Sequence, residues 1–458
     1  MEDEMAARKS QVEEVVDAEF ERVLDRVCAI DVAKAFGNVC VRLPGGGQSG
    51  RRFRRIWQVP ATLNSVEELA DQLKELQIEK VTLESTSDYW RIWYYVLEDR
   101  GLDVQLVNAR EVKNVPGRPK TDNLDSAWSA RLTERGMLRP SFVPPPPIRV
   151  LRDYTRMRVD LTRDRTRHWQ RLEKLLEDAL IKVSSVVSTM DLMSVRDMLD
   201  ALIKGERDAH VLAGLARGRL KVKHTALVQA LNGKFDDHHA ELTRMLLQQI
   251  DALTTQIDQL GVRIEALIAD IPAAQAPSQD DDETGTGTPG QRSPRPLAVV
   301  ERLAEIPGIS VNSAQVIVAE VGLDMKVFPT AQHLAAWAKL TPATFQSGTK
   351  NRSGKTGKGN PYLKGALGTA AAAAGRTATF LGERYRRIIK RRGKLKALVA
   401  TARSMITIIW HLLADPHARY QELGLDYHNN HTNHYRQKRN AIHQLESLGY
   451  TVTLTATA

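Results

Sequence analysis

The sequence predicts an α/β domain over 25–143, a long helical region with coiled-coil character over 144–271, and a mostly α-helical domain over 297–458. Three observations carry this division. Before residue 140, short runs rich in Val, Ile and Cys alternate with amphipathic stretches. From Leu246, the residues Ile250, Leu253, Ile257, Leu260, Ile264 and Leu267 recur in alternating steps of four and three, a heptad seam. Residues 272–296 are dominated by Pro, Gly, Thr, Asp and Ser, with acids at Asp280–Glu283, and read as a disordered linker.

In the first region, 26–31, 38–43 and 51–58 read as strands separated by Gly-containing turns. Residues 65–76 read as a helix opened by Ser65, with Glu68 three residues later. A strand at 80–84, a helix at 88–100, a strand at 103–107 and a helix at 122–135 complete the set. Three strands, then helix, strand, helix, strand, helix is the order of a ribonuclease H-like (RuvC-like) sheet. Residues 1–24 form an acidic helical extension before it, with no signal-peptide pattern.

Four acids fall at telling places on that scheme. Asp31 ends the first strand in Cys-Ala-Ile-Asp-Val-Ala-Lys (28–34), and Glu84 ends the fourth in Val-Thr-Leu-Glu-Ser-Thr (81–86). Asp122 and Asp125, three apart, share one face of the last helix. Acids at the ends of buried strands are costly unless neutralised. A divalent cation does this, and carboxylate oxygens suit Mg2+ or Mn2+.

Taken together, these motifs resemble a known family. Ile-Asp-Val-Ala-Lys, Glu-Ser-Thr-x-x-Tyr-Trp (84–90) and Lys-Thr-Asp-x-x-Asp (120–125) are similar to the DEDD-type insertion-sequence transposases. Downstream, Glu-Ile-Pro-Gly-Ile-Ser (305–310), Leu-Thr-Pro-Ala-Thr-Phe-Gln-Ser-Gly (340–348) and Lys-Gly-Asn-Pro-Tyr-Leu-Lys (358–364) follow the family's order. The resemblance covers roughly 25–140 and 297–450. It implies a Holliday-junction-resolvase-like domain followed by a transposase domain, guidance by a structured bridge RNA, and action on donor and target DNA. It also implies a homodimer that pairs into a tetramer with active sites shared between subunits.

The resemblance gives Ser347 the role of a nucleophile that holds a DNA end as a 5′-phosphoserine. Taken alone, Ser347-Gly348 is a turn pair. A serine hydroxyl needs a base or a metal to attack at neutral pH, and no base is evident within its own segment. The following Gly-Thr-Lys-Asn-Arg-Ser-Gly-Lys-Thr (348–356) is not a nucleotide-binding P-loop. It has one residue too many between its glycines, no apolar strand before it, and Gly357 and Gly359 directly after it. It reads as a flexible basic loop whose Lys350, Arg352, Lys355 and Lys358, with Lys364, hold phosphates.

The formal charge of +10 agrees with a nucleic-acid partner. Residues 384–396 carry eight basic residues and no acid, among them Arg384, Arg386, Arg387, Lys390, Arg391 and Arg392. Arg51, Arg52, Arg54 and Arg55 form a smaller cluster. Such runs track phosphates without reading sequence, or are solvated basic faces. A third cluster, Arg156 to Arg171, is partly offset by Asp153, Asp160 and Asp164.

The helical pattern at 148–183 follows the Pro144–Pro147 run and pairs with the heptad helix as an antiparallel hairpin or a dimer seam. Between them, 184–240 is an additional helical insertion. Pro307-Gly308 joins two short helices, 298–305 and 311–321, as in a helix–hairpin–helix element. Ala366–Ala374 favours close helix packing. The apolar stretch 397–413 contains Arg403 and His411 and reads as a core helix. His428, His431 and His434, with His417, lack nearby cysteines for a zinc site. Cys28 and Cys40 read as buried small hydrophobes.

Two function classes follow. One is an RNA-guided DNA recombinase that uses Ser347, the acids, Mg2+ or Mn2+ and a guide RNA. The other is a metal-dependent junction endonuclease in which Ser347 is structural. Either would work in the cytoplasm, at the nucleoid.

Overall fold

The computed structural model describes residues 24–45, 52–85, 87–109, 122–277, 297–347, 350–427 and 434–454. The chain forms two compact units, Met1–Val143 and Pro144–Ala458. The extension before residue 24, the linker from 278 to 296 and the histidines at 428 and 431 lie outside the described residues.

The first unit is built on a mixed sheet of order β3-β2-β1-β4-β5. Its strands are β1 (Val27–Val32), β2 (Phe36–Pro44), β3 (Arg52–Pro60), β4 (Lys80–Ser85) and β5 (Val104–Asn108). β1 pairs antiparallel with β2 and parallel with β4, so it is central. It is buried on both faces, as its unbroken apolar run requires. Side chains alternate across the sheet. Cys28 and Ile30 face the core made with α1 (Leu63–Glu75) and α2 (Arg91–Asp99), around Leu69, Leu73, Trp93 and Leu97. Val27 and Ala29 face Ala127 and Ala130 of α3 (Asp122–Glu134) on the other side. Gly37 is required by this packing, because a Cβ there would stand 2.8 Å from Ile30 and 2.9 Å from Trp93.

The strands and helices expected between 26 and 135 are present. Helix α1 starts two residues earlier than the Ser65 signal suggested. Thr62 occupies the N-cap position, and its hydroxyl bonds Ser65 Oγ at 2.9 Å. Cys28 and Cys40 are buried free thiols on opposite faces, so no bond between them is possible. Burial raises the Cys28 thiol and holds Cys40 at about 11.

In the second unit, α4 (Pro146–Asp178) and α8 (Asp237–Ala269) are two long helices packed on each other. Arg165 Nη1 donates to Thr254 Oγ1 at 3.2 Å, and Asp178 meets His239 at 3.3 Å. A rising number on one helix meets a falling number on the other, so the pair is an intrachain antiparallel hairpin. Helices α5 (Met193–Ile203), α6 (Ala209–Gly214) and α7 (His224–Leu231) pack at one end of it around Leu172, Met198, Leu212 and Leu227.

The C-terminal bundle contains α9 (Val299–Ala304), α10 (Val311–Val321), α11 (Ala331–Trp337), α12 (Pro361–Ala374), α13 (Phe380–Arg392) and α14 (Lys394–Ala414), with α15 (His434–Ser447) after it. Helix α14 is the apolar helix of the sequence. Its Thr401, Met405, Ile406 and Ile409 are fully buried against the bundle, as a core helix requires. Gly308 has φ +91°, and a Cβ on it would fall 2.2 Å from the Ala370 carbonyl oxygen. The Pro-Gly turn is therefore pressed onto the small-residue face of α12.

Two differences from expectation have local causes. The basic segment after Ser347 is not simply a flexible loop. Strands β6 (Thr344–Ser347) and β7 (Lys350–Ser353) pair antiparallel, with Ser347 opposite Lys350. The segment called a linker also begins too early in the sequence reading. Pro272–Ala274 form a 3-10 turn, and Gln275 Nε2 donates to the Ile268 and Ala269 carbonyls at the end of α8.

Candidate functional site

Strand register brings the first two acids together. In the parallel β1–β4 pair, Asp31 stands directly opposite Glu84. Both follow the alternation of Ala29 and Thr82, which places them on the face covered by α3. Glu84 is buried.

A ladder of hydroxyls fixes α3 against β4. Thr133 Oγ1 donates to the Ser129 carbonyl at 2.8 Å, so the 2.6 Å bond between Thr82 and Thr133 has Thr82 as its donor. Thr82 accepts in turn from Gln105 Nε2 at 2.7 Å. One turn back along α3, Ser129 Oγ donates to Glu84 Oε2 at 2.8 Å. The spacing 125, 129, 133 is a single helix face. Asp125 therefore continues the face that meets Thr82 and Glu84, toward the ends of β1 and β4. Asp122 opens the same helix, but its side chain lies outside the described residues. β1 and β4 thus bring Asp31 and Glu84 side by side at their carboxyl ends, on the face that α3 covers. Their donors are hard carboxylate oxygens, a set that fits Mg2+ or Mn2+. Thr82, Ser129 and Thr133 escaped the sequence reading because isolated hydroxyls in a helix or strand look like surface residues.

Ser347 ends β6 in the second unit. Its side chain, with those of Lys350 and Arg352, lies outside the described residues, as does all of Arg51. Lys355 and Lys358 are exposed. Lys364 Nζ is committed to the Gly357 carbonyl at 2.8 Å.

The basic run from 384 divides by environment. Arg386 is an internal clamp, with Nη1 donating to the Thr377 carbonyl at 2.9 Å and Nε facing Glu383 at 3.3 Å. Burial, with the nearby Arg387 and Arg403 guanidiniums, lowers Arg384 from the ordinary arginine value. The buried Nε atoms of Arg384 and Arg387 have no hydrogen-bond partner among the described residues. Lys390, Arg391 and Arg392 are exposed at the end of α13. In the first unit, Arg52 ties β3 to the end of α3 through Glu134 at 3.2 Å and to the start of the domain through Asp25 at 3.4 Å. Arg54 and Arg55 are exposed on the edge strand β3, with Arg55 over the Trp57 ring at 4.7 Å. Charges there also discourage edge-to-edge pairing.

Asp178, His238 and His239 bring ligand atoms within 4.8 Å of one another, a group the sequence reading missed. His239 Nδ1 accepts the Asp236 N–H at 3.1 Å, so the ring proton sits on Nε2 and points at Asp178. A metal on Nε2 would force the proton onto Nδ1, against that N–H donor. The pair reads as a helix cap with its orienting carboxylate.

A mixed sheet with a paired Asp and Glu under an acid-bearing helix, joined to a helical domain, has the parts of a nuclease-type DNA enzyme. Residues 28–181 match a transposase family model, DEDD_Tnp_IS110, and 300–386 match a second, Transposase IS116/IS110/IS902 family. An uncharacterised 43.6 kDa protein of insertion element IS110 from Streptomyces coelicolor is 37% identical over 123 residues. That stretch is 26% of this chain and 29% of the relative. The chain belongs to the IS110-type transposase family.

Proposed function

We propose that the protein is the transposase of an insertion element, and that it cuts and rejoins donor and target DNA under the direction of a guide RNA. Its first unit would be a ribonuclease H-like nuclease domain. The observation that carries this reading is the register pairing of Asp31 with Glu84 beneath the helix that bears Asp125, in a chain matching both family domains.

Asp31, Glu84, Asp122 and Asp125 would hold Mg2+ or Mn2+. When bound, the ion lowers the proton affinity of an attacking oxygen and offsets charge on the phosphate. Ser347 Oγ attacks phosphorus, its proton passes to a carboxylate or to water, and the 3′ oxygen of the cut strand leaves with a proton. The 5′ phosphate stays on the serine. Attack by the 3′ hydroxyl of the other DNA on that phosphorus forms the new strand as the bond to Ser347 Oγ breaks, and the serine regains its proton. Ser129 holds Glu84 in place for this chemistry. Lys350, Arg352, Lys355 and Lys358 around the hairpin, with Arg387 and Lys390–Arg392 on α13, would neutralise phosphates. Pairing with RNA would choose the sites, since such contacts do not read sequence.

Denaturing electrophoresis of labelled DNA after reaction tests the reading. A protein–DNA adduct is expected from wild-type protein, and none from Ser347→Ala or Asp31→Ala. Free cut ends with no adduct, formed equally well by Ser347→Ala, would instead establish hydrolysis by a junction endonuclease.

A further inference from the structure

A cleft of about 400 Å3 lies where the α4/α8 hairpin meets α10 and α12. Its α4 wall carries Arg158, Thr162, Arg163 and Arg165, and its α12 wall carries Tyr362, Gly365, Ala366 and Thr369. The latter spacing, 362, 365, 366, 369, is one face of a helix. Asn312 and Ser313, in the first turn of α10, close one side. Among the described residues no acid lines the cleft.

Arg158 is the unusual member. It is 5% exposed and makes no ion pair among the described residues. Its Nη2 makes one long bond, 3.4 Å, to the Asn312 carbonyl. Burial lowers its pKa from the ordinary arginine value, with Glu265 of α8 opposing this from a distance. A buried guanidinium without a carboxylate is expensive, and a ligand anion would relieve the cost. Arg165 adds a second guanidinium, which among the described residues bonds only the neutral Thr254 hydroxyl, at 3.2 Å. Arg163 is held by Asp160 at 3.0 Å and lies over the Tyr362 ring at 5.4 Å. The positive end of the α10 dipole points the same way.

We propose that this cleft binds the phosphodiester backbone of a nucleic-acid strand, with Arg158 and Arg165 as its phosphate ligands. The inference rests on the reading of the protein as a nucleic-acid recombinase and adds a binding site to it, remote in sequence from the basic run of α13. In it the hairpin helix α4 is part of the nucleic-acid surface.

Binding of a labelled random-sequence DNA duplex and of a labelled hairpin RNA, each across a salt series, tests the proposal in full-length protein. The double variant Arg158→Gln/Arg165→Gln should weaken binding of at least one probe about tenfold and lower its log–log salt slope by about one per lost contact. Thr369→Glu, at an exposed position, should weaken the same probe without touching a buried side chain. Loss confined to DNA or to RNA identifies the strand the cleft takes. Wild-type binding with a steep salt slope that both variants retain would overturn the cleft while leaving the recombinase reading intact. Wild-type binding with no salt dependence to either probe would overturn both.

Discussion

Glu320 shows how one buried carboxylate can organise a junction between elements. It is fully buried on α10. Arg156 of α4 reaches it with Nε at 2.7 Å and Nη2 at 2.8 Å, Arg152 with Nε at 3.3 Å, and Asn360 with Nδ2 at 2.5 Å. Asn360 also caps α12 by accepting from the Tyr362 and Leu363 N–H groups. The Asn-Pro-Tyr of the family motif is thereby explained as a joint. Tyr362 completes it, donating to Asp160 at 2.7 Å with Arg156 over its ring. Removing one member of a buried charge set costs about 3–5 kcal/mol, so Glu320→Ala should lose that much in urea unfolding. A loss below about 1 kcal/mol, the worth of an exposed pair, would contradict the account. Nothing in Val-Ile-Val-Ala-Glu-Val marks this glutamate as central, because its partners lie 164 and 168 residues upstream and 40 downstream. Glu305 makes the pH case. Its hydrogen bonds from Arg419, two from Nε at 3.0 Å and a third from Nη2, hold its carboxyl below the usual range. A depressed acid stabilises the fold above its unfolded pKa, and that stability disappears as pH falls through the folded value. Arg419→Gln should therefore lower the melting temperature at neutral pH and flatten its fall below about pH 4.5. Parallel curves for the two proteins would show that the pair contributes nothing.

At the scale of elements, the α/β order was legible because short runs rich in Val, Ile, Leu and Cys, unbroken at 27–30 of β1, alternate with amphipathic stretches, the basic edge strand β3 being the exception. Register was legible only in part. The sequence places Asp31 and Glu84 at strand ends, but their direct opposition depends on β1 and β4 being neighbours across an intervening helix and two strands. The β6–β7 hairpin was hidden by its polar composition, which carries no two-residue alternation of apolar side chains. Its strands are paired through backbone bonds, which leave no trace in side-chain pattern. The small-residue run of α12 was read correctly as a close-packing surface, and Gly308 is what packs there. Gly308→Ala adds a Cβ 2.2 Å from the Ala370 oxygen at a positive φ. It should cost about 2–4 kcal/mol, measurable as a lowered unfolding midpoint. An unchanged midpoint would mean that the turn is free of α12.

On the scale of the whole molecule, the acids belong to one compact unit and Ser347 to the other. If a site is completed by a partner subunit, mixing Ser347→Ala protein with Asp31→Ala protein should restore a covalent DNA adduct that neither forms alone. A mixture as inactive as its components, with wild-type protein active under the same conditions, would assign both halves of a site to one chain. The account depends above all on the acids of the first unit forming one cation site. Titrating Mn2+ and following loss of the free-ion electron paramagnetic resonance signal measures this directly. Wild-type protein should take up the ion, Ser129→Ala more weakly, and Glu84→Gln and Asp31→Asn should lose the site while remaining folded. Equal uptake by wild-type, Glu84→Gln and Asp31→Asn proteins would contradict the metal centre.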